Sequence, residues 1–363
     1  MKTRFTAVLV ALCSLTFGVQ AEEEKVLNVY NWADYIGETT IADFEKETGI
    51  KVNYDTFDSN ETLDTKLLGG KTGYDVTFPS ATFFARQISV GVFQELDKDK
   101  LTNWGNLDPE LLKELAEYDP GNKHAVPYNW GTNGFSYNVD MIKKRMPDAP
   151  VDSLDMLFKP EVISKFKDCG VSFLDSPEDV IQLALNYLHL DPNTQNVDDL
   201  KPVEKLLMAV RPYIRTFDSQ SYLDGLPNSD VCIAMSWSGD FAVANNRAKE
   251  AGSKVHLEYT VPKEGANIWF DGMLIPKDAP HPQNALLFLN YMLRPDVMAG
   301  CTNTTYYANS NQASWKLIKP EILNDPRIFP TAETRKTLYG SNVVSPEMLR
   351  ARTRLWTKLK TGQ

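Results

Sequence analysis

A chain of 363 residues is long enough for about two domains of ~100–200 residues each, and its formal net charge of −10 argues against a nucleic-acid partner or an anionic membrane face. Four cysteines and four histidines lie scattered, without Cys-x-x-Cys or His-x-x-x-His spacing, so neither a metal site nor a cofactor is expected.

The N-terminus carries Lys2 and Arg4, the apolar run Phe5–Phe17 and "GVQA" before Glu22, which reads as a signal peptide over residues 1–21, cleaved after Ala21. No later stretch has the ~18 continuous apolar residues of a membrane span, so direct membrane insertion is not expected. Of the cysteines beyond residue 21, Cys169, Cys232 and Cys301, two can pair in an oxidising compartment and one is left over.

From Lys25 the pattern alternates. "KVLNVYNW" reads as a strand, "TTIADFEKETG" as a helix stopped by Gly49, and "IKVNYDTF" as a strand. "SNETLDTKLLGG" reads as a helix capped by Ser59 or Asn60, and "YDVTFPS" as a strand. Such βαβ repetition predicts an α/β fold with a mainly parallel sheet, whose ligands bind beyond the carboxyl ends of strands. Trp32, Asp34, Tyr35 and Ser80 fall at such ends.

A second α/β run begins near Gly134, after "VPYNWGTNGFSYN". It contains "CGVSFLDS", the helix "PEDVIQLALNYLHL", the strand "DVCIAMS", the helix "FAVANNRAKEAG", and the strands "VHLEYTVP" and "KEGANIWFDGMLIP". Extended segments near 128–138 and 258–272 link two lobes. Residues 22–133 and 262–300 are assigned to the first, and 134–261 and 301–363 to the second. The basic, amphipathic "RARTRLWTKLKTG" reads as a helix packed on a lobe.

Three segments share one chemistry: Trp32 with Asp34 and Tyr35, Trp237 with Asp240, and Trp269 with Asp271. A carboxylate accepts the hydrogen bonds of a primary ammonium, and an aromatic face suits its methylenes and charge. If the segments converge, a linear diamine would be held at both ends, with a closed form stabilised because the cation bridges carboxylates of different lobes. Without it, like charges favour an open cleft. Charge-assisted hydrogen bonds of about 1.5–3 kcal/mol each and cation–π contacts of about 0.5–2 kcal/mol can reach the ~8 kcal/mol of micromolar binding. Taken singly, each Trp–Asp grouping also fits a ring beside a turn carboxylate. Asp179 fits a helix first turn, Ser80 a helix cap and Tyr307 a core residue.

Enzyme readings find less support. "LLGGKTG" lacks the leading glycine and the strand–loop–helix order of a phosphate loop, and neither Gly-x-Gly-x-x-Gly nor Gly-x-Ser-x-Gly occurs. A glycosidase needs one carboxyl tuned as proton donor, and nothing beside the three aspartates tunes one. A sugar or peptide receptor would use more neutral amides, or arginine.

With "YNWADYI", "FEKETGIKVNYD", "DSNETL", "TGYDV", "PSATF", "GVFQELDK", "CGVSFLD", "WSGD", "PKEGA", "FLNYMLRPDV" and "YYANSN" assembled, the chain resembles the periplasmic polyamine-binding proteins of bacterial ABC transporters, most of all their putrescine-type branch. The resemblance implies a two-lobed periplasmic-binding-protein fold of the class II type. It further implies a periplasmic monomer that closes on putrescine or spermidine and hands it to a membrane permease, with no catalysis. At matching positions it implies that Asp34, Asp240 and Asp271 bind ammonium groups, that Trp32, Trp237, Trp269 and Tyr307 form an aromatic box, that Ser80 and Asp179 add contacts, and that Tyr35 joins the ligand site. It also implies a Cys169–Cys232 disulfide, leaving Cys301 free. Two positions depart from the family pattern: Ala33 replaces a common Ser or Thr, and Trp269 replaces the Phe usual in the putrescine-type branch.

Overall fold

The computed structural model describes residues 23–362, so the signal peptide expected over 1–21 lies outside the described residues. Eleven strands among them form one sheet: β1 (Val26–Trp32), β2 (Lys51–Phe57), β3 (Val76–Thr77), β4 (Ala125–Asn138), β5 (Val171–Phe173), β6 (Thr216–Phe217), β7 (Ile233–Trp237), β8 (Leu257–Thr260), β9 (Ala266–Leu274), β10 (Ala308–Asn309) and β11 (Leu338–Gly340). The main order is β2-β1-β3-β9-β4-β7-β5-β6.

Local chemistry sets the elements of the first lobe. The helix Thr40–Thr48 turns β1 back to pair in parallel with β2, and Gly49 ends it in the left-handed conformation with φ 71°, which glycine adopts without strain. Ser59 caps the helix Asn60–Gly69 by accepting the N–H of Thr62. β1 buries Leu27 and Val29 in one core and Tyr30 in another, as expected of a strand covered on both faces. The strand expected over 74–80 is shorter, because after Thr77 the chain leaves the sheet for Pro79 and a single bridge between Ser80 and Asp271.

The sheet is mixed rather than mainly parallel. β1, β2 and β3 run parallel, as do β5, β6 and β7, but β9 is antiparallel to β3 and β4, and β7 and β8 are antiparallel to β4. The chain crosses from the first lobe to the second along β4 and returns along β9, so the two connecting strands must oppose each other. All fourteen residues of β4 are buried.

Cys301 and Tyr307 sit in the first-lobe core with Leu27, Phe44 and Phe288, and β10 pairs with Asn129 and Trp130 of β4. Ile318, Ile322 and Ile328 join a third cluster that holds Tyr30 and Phe57 together with Phe241 and Tyr259. The C-terminal helix Pro346–Thr361 buries Met348, Leu355, Trp356 and Leu359 in the second-lobe core. There Cys169 and Cys232 are disulfide-bonded with Cα atoms 5.5 Å apart, while Cys301 is free and buried. No helix of the described residues is long and apolar enough to cross a membrane.

Candidate functional site

The three tryptophan–aspartate segments meet in one cleft between the lobes, each delivered by a different strand. Trp32 ends β1, with Asp34 two residues beyond; Trp237 ends β7, with Asp240 opening the helix Asp240–Glu250; Trp269 and Asp271 lie within β9. Tyr35, Ser80, Asp179 and Tyr307 line the same cleft. The rings form two groups along the cleft: Trp32 meets Trp237 edge-on at 6.1 Å, while Trp269 meets Tyr307 at 5.3 Å and Tyr307 meets Tyr35 at 5.2 Å.

Two carboxylates dominate the electrostatics. Asp271, 4% exposed, accepts the Tyr35 hydroxyl at 2.9 Å and the Ser80 hydroxyl at 2.7 Å. Burial pushes its pKa up to about 7 despite those hydroxyls, and the charge of Asp179 adds to the rise. Asp240, 8% exposed, accepts hydroxyls from both lobes, Tyr222 of the second and Tyr307 of the first, the latter at 2.5 Å. Burial pushes it up to about 6, with the charge of Asp34 adding to the rise. Among the described residues neither carboxylate has a salt-bridge partner. A buried carboxylate with hydroxyl donors and no counter-ion is a site prepared for a cation.

Ser80 stands at the N-cap of the helix Ala81–Ser89 but makes no capping bond with its side chain. Its hydroxyl goes to Asp271, and Asn60 clamps it from behind, donating Nδ2 to Ser80 Oγ at 3.0 Å and accepting the Ser80 N–H at 3.1 Å. Asp179 is also buried, with its pKa raised chiefly by burial. It accepts Asn133 Nδ2 at 2.6 Å and Trp237 Nε1 at 3.2 Å, so it orients the Trp237 ring as well as facing the cleft.

Asp34 lines the same cleft in a different setting. It takes φ 53°, tolerated by aspartate, its side chain is 58% exposed, and it pairs with Arg247 at 2.7 Å. Arg247 projects from the second-lobe helix Asp240–Glu250 and also holds Asp224 at 2.8 Å, so Asp34 meets a cation from its own chain across the cleft. Thr82 and Glu178 also meet across the lobes at 3.3 Å, so in this structure the lobes touch through these pairs and through Tyr307 and Asp240.

Sequence reasoning missed several groups here. Tyr222, in "SYLDG", carries no signal for its contact with Asp240. Glu61 and Glu178, both lining the cleft with pKa values pushed up to about 7 chiefly by burial, read in sequence as ordinary first-turn helix acids. Arg247 lay in a segment read only as a helix.

Residues 39–330 match the model of a family described as bacterial extracellular solute-binding proteins. The chain is 50% identical over 355 residues to a putrescine-binding periplasmic protein of Escherichia coli (strain K12), covering 97% of this chain and 96% of that one. It is 48% identical over 367 residues to a putrescine-binding periplasmic protein of Pseudomonas aeruginosa (strain UCBPP-PA14), covering 100% of both. A solved spermidine/putrescine ABC transporter substrate-binding protein of Streptococcus pneumoniae superposes with a TM-score of 0.75 at 29% identity, covering 93% of this chain and 99% of that one. Two lobes joined by opposed connecting strands, a cleft between them and a family match across both lobes lead to one conclusion: the chain belongs to the bacterial extracellular solute-binding proteins.

Proposed function

We propose that this protein captures a linear polyamine, putrescine or spermidine, between its lobes in the periplasm and presents it to the permease of an ABC transporter. The observation that carries the reading is the pair Asp271 and Asp240, one from each lobe, each buried, each held by two hydroxyls and neither neutralised by a side chain. An ammonium at each would supply the missing charge, and the wall of Trp32, Trp237, Trp269 and Tyr307 would cover the methylenes between. Two charge-assisted hydrogen bonds per end, at about 1.5–3 kcal/mol each, total roughly 6–12 kcal/mol and so span the ~8 kcal/mol of micromolar affinity before ring contacts and ordering costs are counted. A neutral sugar would leave both carboxylates buried without a counter-charge, which is unfavourable. The names of the two relatives above support the putrescine branch, and the wider Trp269 ring leaves room for spermidine in the reading.

Closure follows from the same contacts. A cation bound by Asp271 and Asp240 together interacts with both lobes only when they meet, so it shifts the equilibrium toward the closed form. Calorimetric titration of refolded, ligand-free protein with putrescine, spermidine, a neutral sugar and an amino acid tests the reading. Saturable binding of the polyamines alone is expected; binding of the sugar alone, or of none, would overturn it.

A further inference from the structure

Gly131 and Gly239 lie against two aromatic rings that line the cleft, Trp269 and Tyr307. Gly131 lies in β4 directly opposite Trp269 of β9 in the antiparallel register. A Cβ built on it would stand 2.6 Å from Trp269 Cζ2, 3.1 Å from Cε2 and 2.7 Å from Ser238 Oγ. Carbon atoms do not approach so closely, so the indole lies against bare backbone. Gly239, just before Asp240, is the counterpart: its added Cβ would meet three atoms of the Tyr307 ring at 2.6–2.7 Å.

Backbone conformation explains neither glycine. Gly239 has φ −76° and ψ −31°, open to any residue, and Gly131 is not among the residues with positive φ. Glycine in a strand interior costs conformational entropy and offers no side chain to pack, so its presence points to the close approach it allows. The two contacts are joined, since Trp269 packs on Tyr307 and Tyr307 donates to Asp240.

We propose that Gly131 and Gly239 are positioning residues that set the width of the ligand cleft, Gly131 by letting Trp269 lie back against β4 and Gly239 by letting Tyr307 reach Asp240 across the lobes. A methyl at position 131 drives the rigid indole forward into the space the ligand's methylene chain needs, whereas the Ser238 hydroxyl yields by rotating about χ1, giving up the long 3.3 Å bond it accepts from the Thr132 N–H. The carbon struck hardest, Cζ2, lies on the outer part of the indole, beyond the reach of a phenyl ring. Replacing Trp269 by Phe therefore restores the space that Gly131→Ala removes.

The inference rests on the polyamine reading for its ligands, and the test separates the two. Putrescine and spermidine are titrated calorimetrically into the wild type, Gly131→Ala, Trp269→Phe and the double variant, and the near-ultraviolet circular dichroism of each is recorded without ligand. Gly131→Ala is expected to bind at least tenfold more weakly, with spermidine affected more than putrescine. The double variant is expected to return to within threefold of Trp269→Phe. Without ligand, Gly131→Ala is expected to change the tryptophan band of the wild type but leave the spectrum of Trp269→Phe unaltered.

Wild-type affinity in Gly131→Ala, or a double variant as weak as Gly131→Ala, would overturn the inference. If the wild type binds no polyamine, the functional reading fails while the spectra still decide the position of Trp269: an unchanged tryptophan band in Gly131→Ala refutes it. If Gly131→Ala does not fold and the double variant does, the clash with the indole is supported. If neither folds, β4 requires glycine for another reason and the inference falls.

Discussion

Replacing Asp271 by asparagine keeps the shape of a group that is 4% exposed and removes its charge. The Ser80 hydroxyl retains an acceptor at the amide oxygen, and the Tyr35 hydroxyl, which met the other carboxylate oxygen, turns to accept from the amide NH2, so the fold is expected to survive. An ammonium loses one charge-assisted hydrogen bond of about 1.5–3 kcal/mol, a weakening of roughly 10- to 150-fold at pH 8. The dependence on pH makes the prediction sharper. In the ligand-free protein the Asp271 carboxyl has its pKa pushed up to about 7, and a bound ammonium requires it ionised. Binding therefore releases a proton below that pH. Between pH 8 and pH 5 the wild type should lose roughly a hundredfold in affinity through Asp271 and roughly tenfold more through Asp240, whose pKa is pushed up to about 6. Asp271→Asn keeps only the second loss, so the two proteins should converge at pH 5, where the wild-type carboxyl is already neutral. Calorimetry at both pH values, in two buffers of different ionisation enthalpy, measures affinity and counts protons released. A ratio between variant and wild type that is the same at both pH values, or no proton release at pH 6, would refute the reasoning.

Stability without ligand should fall as pH rises from about 4 to about 7. The folded state holds protons on Asp240, Asp271, Glu61 and Glu178 in that window, where the unfolded chain has lost them, so their contribution is full below about pH 4 and gone above about pH 7. Thermal melting across the range checks the sign, and saturating putrescine should flatten the part due to the two aspartates. Arg247→Gln breaks the cross-lobe pair with Asp34, a half-exposed interaction of about 0.5–1 kcal/mol, and should raise the radius of gyration of the ligand-free protein in small-angle scattering. An unchanged radius would show that the pair does not hold the lobes together. Removing the Cys169–Cys232 bridge with a Cys232→Ala, Cys169→Ala pair frees a loop of sequence separation 63 and should cost about 4 kcal/mol, read as a lower urea midpoint. Because the bridge lies in the second-lobe core, polyamine affinity of the folded variant should change less than threefold.

Much of the architecture was legible along the chain because local chemistry fixes it. Gly49 and Ser59 end and begin helices where the sequence places them, β1 and β2 fall within the segments read as strands, and β4 and β7 overrun theirs by one residue each, at Ala125 and Trp237. Strand direction was not legible. The mainly parallel sheet expected from βαβ repetition holds within each lobe but fails at β4 and β9, whose opposition follows from long-range chain crossing. Core membership was not legible for the same reason: whether Tyr307 packs with Leu27 or with Val171 is decided by neighbours far away in sequence.

In the site, residue types announced themselves but partners did not. The recurrence of tryptophan with aspartate marked three segments, and the structure brings them to one cleft. Asp34 looked equivalent to Asp240 and Asp271, yet it is exposed and paired with Arg247, while the other two are buried with hydroxyls. Composition and local pattern determined an acidic, two-lobed α/β chain carrying three aromatic–carboxylate segments, two of them at strand ends and the third inside β9. Only the tertiary structure decided which carboxylates are desolvated, which hydroxyls hold them and which glycines let the rings lie close. Desolvation and close approach are set by atoms brought together from distant parts of the chain, and no local pattern encodes them.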